Sequence, residues 1–216
     1  MKSFTPLVWD AEQCRQEIEN FRTLLAEHAA LTERKPILPF FRQSPHLAAL
    51  TGWYEPIVNR IDRIAFEYDL FGDFQCDLVV GDFVKRSYNF IEFEDAGPQS
   101  LFRRQGKKNT REWSAKCDHG YSQIIDWFGK LRDMEKSDDF ETRFGARSID
   151  FVGTLVVGRD HFLEPGERRR LEYRRQYVVV DSRRIHCVTY DELLVDLSSR
   201  LEWYGMMVPS DGKKNG

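Results

Sequence analysis

Three acids, Asp77, Glu92 and Glu94, sit inside runs that otherwise read as β-strands, FQCDLVV over 74–80 and SYNFIEFE over 87–94. Acidic residues are depleted in strands, and an ionised carboxylate out of water is costly unless a cation or a donor compensates it. Successive strand side chains alternate faces, so Glu92 and Glu94 share a face with Phe90 while Ile91 and Phe93 point the other way. If the connection between the two strands is centred between Val84 and Lys85, Asp77 stands opposite Glu92, with Cβ atoms ~5 Å apart. A turn at Gly81-Asp82 would break that register. Carboxylates placed this way suit a hard divalent cation: Mg²⁺ takes few protein carboxylates, keeps several waters and leaves room for phosphate oxygens. Such an ion stabilises charge on a phosphodiester and activates a water for attack. The competing reading makes these acids solvated charges on a sheet edge.

Two neighbouring features favour the chemical reading. The segment LFRRQGKKNTREWSAK, residues 101–116, carries Arg103, Arg104, Lys107, Lys108, Arg111 and Lys116 against the single acid Glu112. A basic cluster directly after an acidic strand can hold a nucleic-acid backbone beside a metal. Beyond it, Lys116, His119, Gln123, Asp126 and Lys130 recur at helical intervals and form a polar stripe that can overlook the acids.

The elements that must position these residues follow from periodicity. An amphipathic helix spans about 9–31, with Ile18, Phe21, Leu24, Leu25 and Leu31 on its apolar side. Shorter helical segments follow around Ile37–Phe41 and His46–Gly52, divided by Ser44-Pro45. Three short strands over 63–70, 74–80 and 87–94 read as an antiparallel meander. A helix from about Asn109 to Met134 presents Trp113, Cys117, Tyr121, Ile124, Phe128 and Leu131, with Asn109-x-x-Glu112 as a capping box. A strand over 149–157, a charged helix over 165–175, strands over 177–180 and 185–188, and a helix from Thr189 or Tyr190 complete the chain. This alternation predicts an α/β layered fold, with a helical N-terminal region (1–55), a core domain (56–205) and a flexible tail (206–216).

With 216 residues and 41% hydrophobic content, the chain is long enough for one domain with a true core. A net charge of −3 gives no global pull toward nucleic acid, so any such binding must be local. The four cysteines, Cys14, Cys76, Cys117 and Cys187, are dispersed without a Cys-x-x-Cys pair, which fits a reduced, cytoplasmic protein. The N-terminus has no apolar signal-like core, and no window approaches ~18 uninterrupted apolar residues, so neither export nor membrane spanning is expected.

Asp77, Glu92-x-Glu94 and a helix bearing Gln123-Ile-Ile-Asp-Trp127 resemble the PD-(D/E)xK nuclease pattern, including the Gln-x-x-x-Tyr helix motif of its RecB-like branch, with Trp here in place of Tyr. More specifically, IEFED, the basic loop, HGYSQIIDWF, TLVVGRD and VTYDELL in this order resemble the C-terminal domain of the Shedu (SduA) antiphage nucleases, over roughly 33–201. The resemblance implies a restriction-endonuclease-like core, a mixed central sheet flanked by helices, with a helical N-terminal arm. It implies a metal-dependent DNA endonuclease using Mg²⁺ or Mn²⁺, DNA as partner, and a homo-oligomer. By position, Asp77 and Glu92 become metal ligands, Gln123 orients the site or contacts DNA, and Glu33, on a helix before the sheet, is the additional acid. Glu94 departs from the pattern, which usually has Lys there to stabilise developing charge. Glu94 then ligates metal or activates water, Lys116 restores the cation from the helix, or the domain is a noncatalytic DNA-binding or assembly module with a nuclease fold.

Overall fold

The molecule is described here by a computed structural model covering residues 3–54, 58, 60–107 and 109–207. In chain order its elements are β1 (Thr5–Pro6), α1 (Ala11–Glu27), α2 (Ile37–Gln43), α3 (Pro45–Thr51), β2 (Arg63–Leu70), β3 (Phe74–Asp82), β4 (Ser87–Phe93), β5 (Phe102–Arg103), β6 (Glu112–Trp113), α4 (Ala115–Met134), α5 (Asp138–Phe144), β7 (Asp150–Val156), α6 (Pro165–Tyr177), β8 (Val179–Val180), β9 (Arg183–Val188) and α7 (Tyr190–Met207). Seven strands form one mixed sheet in the order β1-β2-β3-β4-β7-β9-β8, and β5 pairs with β6 in a separate hairpin. The stretch β2-β3-β4 is the antiparallel meander expected from sequence, whereas β4-β7 and β7-β9 are parallel. The fold is therefore α/β, with a mixed sheet between two helical layers.

Alternation along the strands separates the two cores. Ile64, Leu78, Val80, Ile91, Phe93, Val156 and Val188 face α1, α2, α3 and α7. Val79, Phe90, Phe151, Leu155 and Cys187 face α4, α5 and α6. The N-terminal helices expected as an arm form most of one covering layer, packing Phe21, Phe41 and Leu47 into the same cluster as Leu197 of α7. All four cysteines are buried free thiols.

Of the two registers the sequence left open, the structure has the one centred between Val84 and Lys85, since Asp82 pairs with Ser87 and Leu78 with Ile91. Gly81-Asp82 does not break the strand. The ring of Tyr88 occupies the space a Gly81 side chain would need, with a Cβ there falling 2.5 Å from ring atoms. Asp82 carries the turn, its carboxylate accepting from Lys85 N and Arg60 N, each at 2.9 Å.

Other boundaries moved for local reasons. Asn109 does not cap α4; Ser114 does, accepting from Cys117 N at 2.9 Å, and Glu112-Trp113 pairs as a strand with Phe102-Arg103. Trp113 continued the helical spacing by coincidence, because its ring packs 4.3 Å from that of Phe102. The helix α6 runs on to Tyr177, two residues past the expected end, so β8 shrinks to Val179–Val180. Thr189 caps α7 in a reciprocal pair with Glu192. The tail expected from 206 onward lies outside the described residues from 208. Among those described, no helix is long and apolar enough to cross a membrane.

Candidate active site

The two strands that carry the acids lose their ladder at the same end. The last regular pair is Leu78 with Ile91. One step further, Asp77 Oδ2 accepts from the backbone N–H of Phe93 at 2.9 Å, so a side chain replaces the next main-chain rung. Asp77 and Glu92 are thereby left opposite each other, within reach of a shared side-chain hydrogen bond. Glu92 is 6% exposed and Glu94 1% exposed. Glu94 follows directly on β4, its N–H bonded to Val156 O at 2.9 Å and its carbonyl accepting from the buried Tyr190 hydroxyl at 2.7 Å.

The helix α4 lies over this end because two glycines let it approach. A Cβ at Gly120 would come within 2.4 Å of Leu155 and 3.3 Å of Glu94 Cγ, and one at Gly153 of β7 within 2.4 Å of Ile124. The apolar side of α4, from Cys117 to Leu131, is buried on the sheet. The stripe beside it delivers Gln123, whose Nε2 donates to Glu92 Oε1, and Lys116, whose Nζ lies 3.5 Å from Glu94 Oε2 and 3.6 Å from Asp95 Oδ2. Trp127, at the position where the resembled motif has Tyr, is 1% exposed and belongs to the core while also lining the site.

Asp77, Glu92, Glu94, Lys116, Gln123 and Glu33 all line one cavity of about 600 Å³, together with Arg34, His119 and Asp73. Glu33 is not on a helix as expected. It occupies the turn before α2, where its N–H donates to Asp95 Oδ1 at 2.8 Å, and the turn brings it to the cavity all the same.

Electrostatics distinguish this cluster from an ordinary set of surface acids. Burial pushes the Asp77 and Glu92 carboxyls up, and the charge of Glu33 adds to both; Glu92 is raised furthest, by the charges of Asp77 and Glu94, whereas hydrogen bonds from Phe93 N and with Glu92 hold Asp77 back. Burial also raises Glu94 to about 7, against the pull of Lys116. Two carboxylates this close cannot both ionise at neutral pH without a cation, so the pair keeps a proton between them. Glu94 Oε2 is buried and accepts no hydrogen bond among the described residues. Nor do three His, Cys, Asp or Glu side chains among them enclose a ready metal cage. The donor set fits an ion of the Mg²⁺ kind, which needs only one or two carboxylates and completes its shell with water and phosphate oxygens.

The basic segment divides in two. Arg103, Arg104 and Lys107 are exposed on the β5-β6 hairpin, which leads directly into the first turn of α4. Arg111 is committed elsewhere: its guanidinium takes the buried Glu167 in a bidentate pair, 2.6 Å on the Nε side, and donates to Phe162 O. It fastens the hairpin to α6, with its charge paired to Glu167. Lys108 lies outside the described residues. Three arginines of α6 do similar internal work. Arg170 and Arg174 stack on Trp113, Arg174 pairs with Asp118 at 3.0 Å and Arg175 with Glu192.

Against known proteins, the family model described as Shedu protein SduA, C-terminal, matches residues 30–194. The chain belongs to this family. The matched span contains all six residues that the sequence placed in the site, and it begins just after α1. A search of curated proteins finds no match.

The residues at or around the site that sequence reasoning missed include Gly120, Gly153, Asp95, Tyr190 and Arg34. Only Gly120 left a signal, a glycine in mid-helix, where it costs about 1 kcal/mol against alanine unless close packing requires it.

Proposed function

We propose that this chain is a metal-dependent DNA endonuclease of the PD-(D/E)xK type, acting in antiphage defence as its family suggests. One observation carries the reading: the half-buried Asp77 of β3 and the buried Glu92 of β4 meet a lysine and a glutamine from α4 in a single cavity. A divalent ion bound there would stabilise negative charge on a phosphodiester and activate water. Asp77 and Glu92 are the residues that would hold Mg²⁺ or Mn²⁺, with Glu33 as an additional acid.

Each remaining residue has a task that its contacts support. Gln123 donates to one oxygen of Glu92 and so fixes the orientation of that carboxylate. Lys116 brings to the site, from a helix, the positive charge that the resembled pattern supplies from the strand, and it offsets charge developing on the scissile phosphate. Glu94, raised to about 7, is poised to take a proton from water near neutral pH. Arg103, Arg104 and Lys107 are the exposed cations that would follow the DNA backbone.

Purified protein with Mg²⁺ should nick or linearise plasmid DNA, and Asp77→Ala or Glu92→Ala should abolish cleavage. Persistence of cleavage in both variants would remove this site. The second reading, a noncatalytic DNA-binding or assembly module, is favoured by the carboxylate of Glu94 where a strand lysine is usual. DNA binding without any EDTA-sensitive cleavage would establish it instead.

A further inference from the structure

Asp95 stands just outside the acidic cluster, and its two oxygens do different things. Oδ1 accepts the N–H of Glu33 at 2.8 Å, and Oδ2 lies 3.6 Å from Lys116 Nζ. The backbone around it is fixed independently. Gly158 N donates to Asp95 O at 2.9 Å, and Ala96 and Leu31 exchange two main-chain hydrogen bonds. The carboxylate is thus a rigid fork between the turn that carries Glu33 and the helix that carries Lys116, the two parts of the site that come from outside β3 and β4.

We propose that Asp95 is a positioning residue for the active site, fixing Glu33 through one oxygen and sharing Lys116 with Glu94 through the other. This rests on the nuclease reading for its effect on chemistry, although the link to Glu33 stands on geometry alone. Without the Oδ1 contact the Glu33 turn loses the side-chain bond that points it at the cavity. Without the Oδ2 charge, Lys116 is left with the single buried carboxylate of Glu94 and is drawn further onto it. Partners that orient a metal-binding or reacting group in this way typically change metal affinity or activity by about 10–100-fold when removed.

The two oxygens can be separated by substitution. Asp95→Asn keeps an acceptor for Glu33 and removes the charge facing Lys116; Asp95→Ala removes both. Three readouts on the full chain decide the matter: amide hydrogen exchange at Glu33, Mn²⁺ affinity by calorimetry, and single-turnover DNA cleavage. For Asp95→Asn, Glu33 stays protected, Mn²⁺ affinity holds, and the single-turnover rate falls about 10-fold. For Asp95→Ala, Glu33 protection is lost, Mn²⁺ binding weakens about 10-fold and the rate falls further. Wild-type values of all three in a folded Asp95→Ala protein would overturn the proposal. So would equal losses of Glu33 protection in both variants, since the retained acceptor would then be irrelevant. If the wild type neither binds Mn²⁺ nor cleaves, the nuclease reading fails, and the exchange contrast between the two variants still decides what Asp95 does.

Discussion

The strand β3 carries a buried or nearly buried aspartate toward each end, and the two ends treat them differently. At the turn end, Asp82 is 1% exposed, yet its oxygens accept two backbone N–H groups from Arg60 and Lys85, which is enough to keep a carboxylate inside a protein. At the open end, Asp77 receives one N–H from Phe93 and faces Glu92 and Glu94, and burial raises all three. Glu167, also buried, is likewise answered, by the guanidinium of Arg111. Burial of an acid is therefore not what marks a candidate site in this fold. What marks it is a shortage of donors, concentrated where three acids line one cavity.

The contrast breaks most sharply in cleavage assays. Glu92→Ala or Asp77→Ala should reduce single-turnover cleavage by at least about 10³-fold, given how much charge stabilisation such a site supplies. Asp82→Ala should leave the rate constant of the folded fraction unchanged while costing about 1–3 kcal/mol in urea unfolding, because two part-buried N–H groups lose their acceptor. Equal rate losses at both ends would erase the distinction between them.

A second test reads the donor shortage directly. For an acid whose folded-state pKa is raised, stability is full below the unfolded value of about 4.3 and is lost as pH rises through the folded value. The metal-free protein should therefore lose thermal stability from about pH 4.3 through about 7, where Glu94 titrates, and further as Glu92 ionises. Mn²⁺ should restore it, and Glu92→Gln should flatten the profile and raise Tm at pH 8 by a few degrees. A flat wild-type profile would show that the acids are compensated already.

Close packing offers a smaller effect. Gly120→Ala drives a methyl group to within 2.4 Å of Leu155 and 3.3 Å of Glu94 Cγ, so α4 must withdraw. A stability cost of about 1–3 kcal/mol is expected, with a rate loss of about 10-fold as Lys116 and Gln123 move off the acids. The smallest effect belongs to the hairpin: Arg104→Ala with Lys107→Ala should leave single-turnover cleavage at saturating DNA intact and lower the slope of log affinity against log salt by about 2.

Much of the site was legible because strand chemistry is local. Alternation placed Glu92 and Glu94 with Phe90, and the register that pairs Asp77 with Glu92 followed from placing the connection between Val84 and Lys85. Asp82 and Gly81 misled as turn residues, since nothing local reveals that Tyr88 will need the space beside Gly81. Trp113 extended a helical spacing by accident, and only the Ser114 cap decides where α4 begins. Arg111 looked like its basic neighbours until Glu167, 56 residues later, was brought against it. Glu33 reached the cavity by a turn and not a helix, because its placement depends on Asp95, a contact across 62 residues that no periodicity encodes.

The bond from Phe93 N to Asp77 has a consequence for descent as well as for chemistry. Asp77 closes the ladder and faces the cavity, so two selective pressures act on one side chain. Glu92 closes no ladder with its carboxylate. In a relative whose cavity served no chemistry, Glu92 would be free to drift while Asp77, or an asparagine able to accept the same N–H, would still be held in place by the fold.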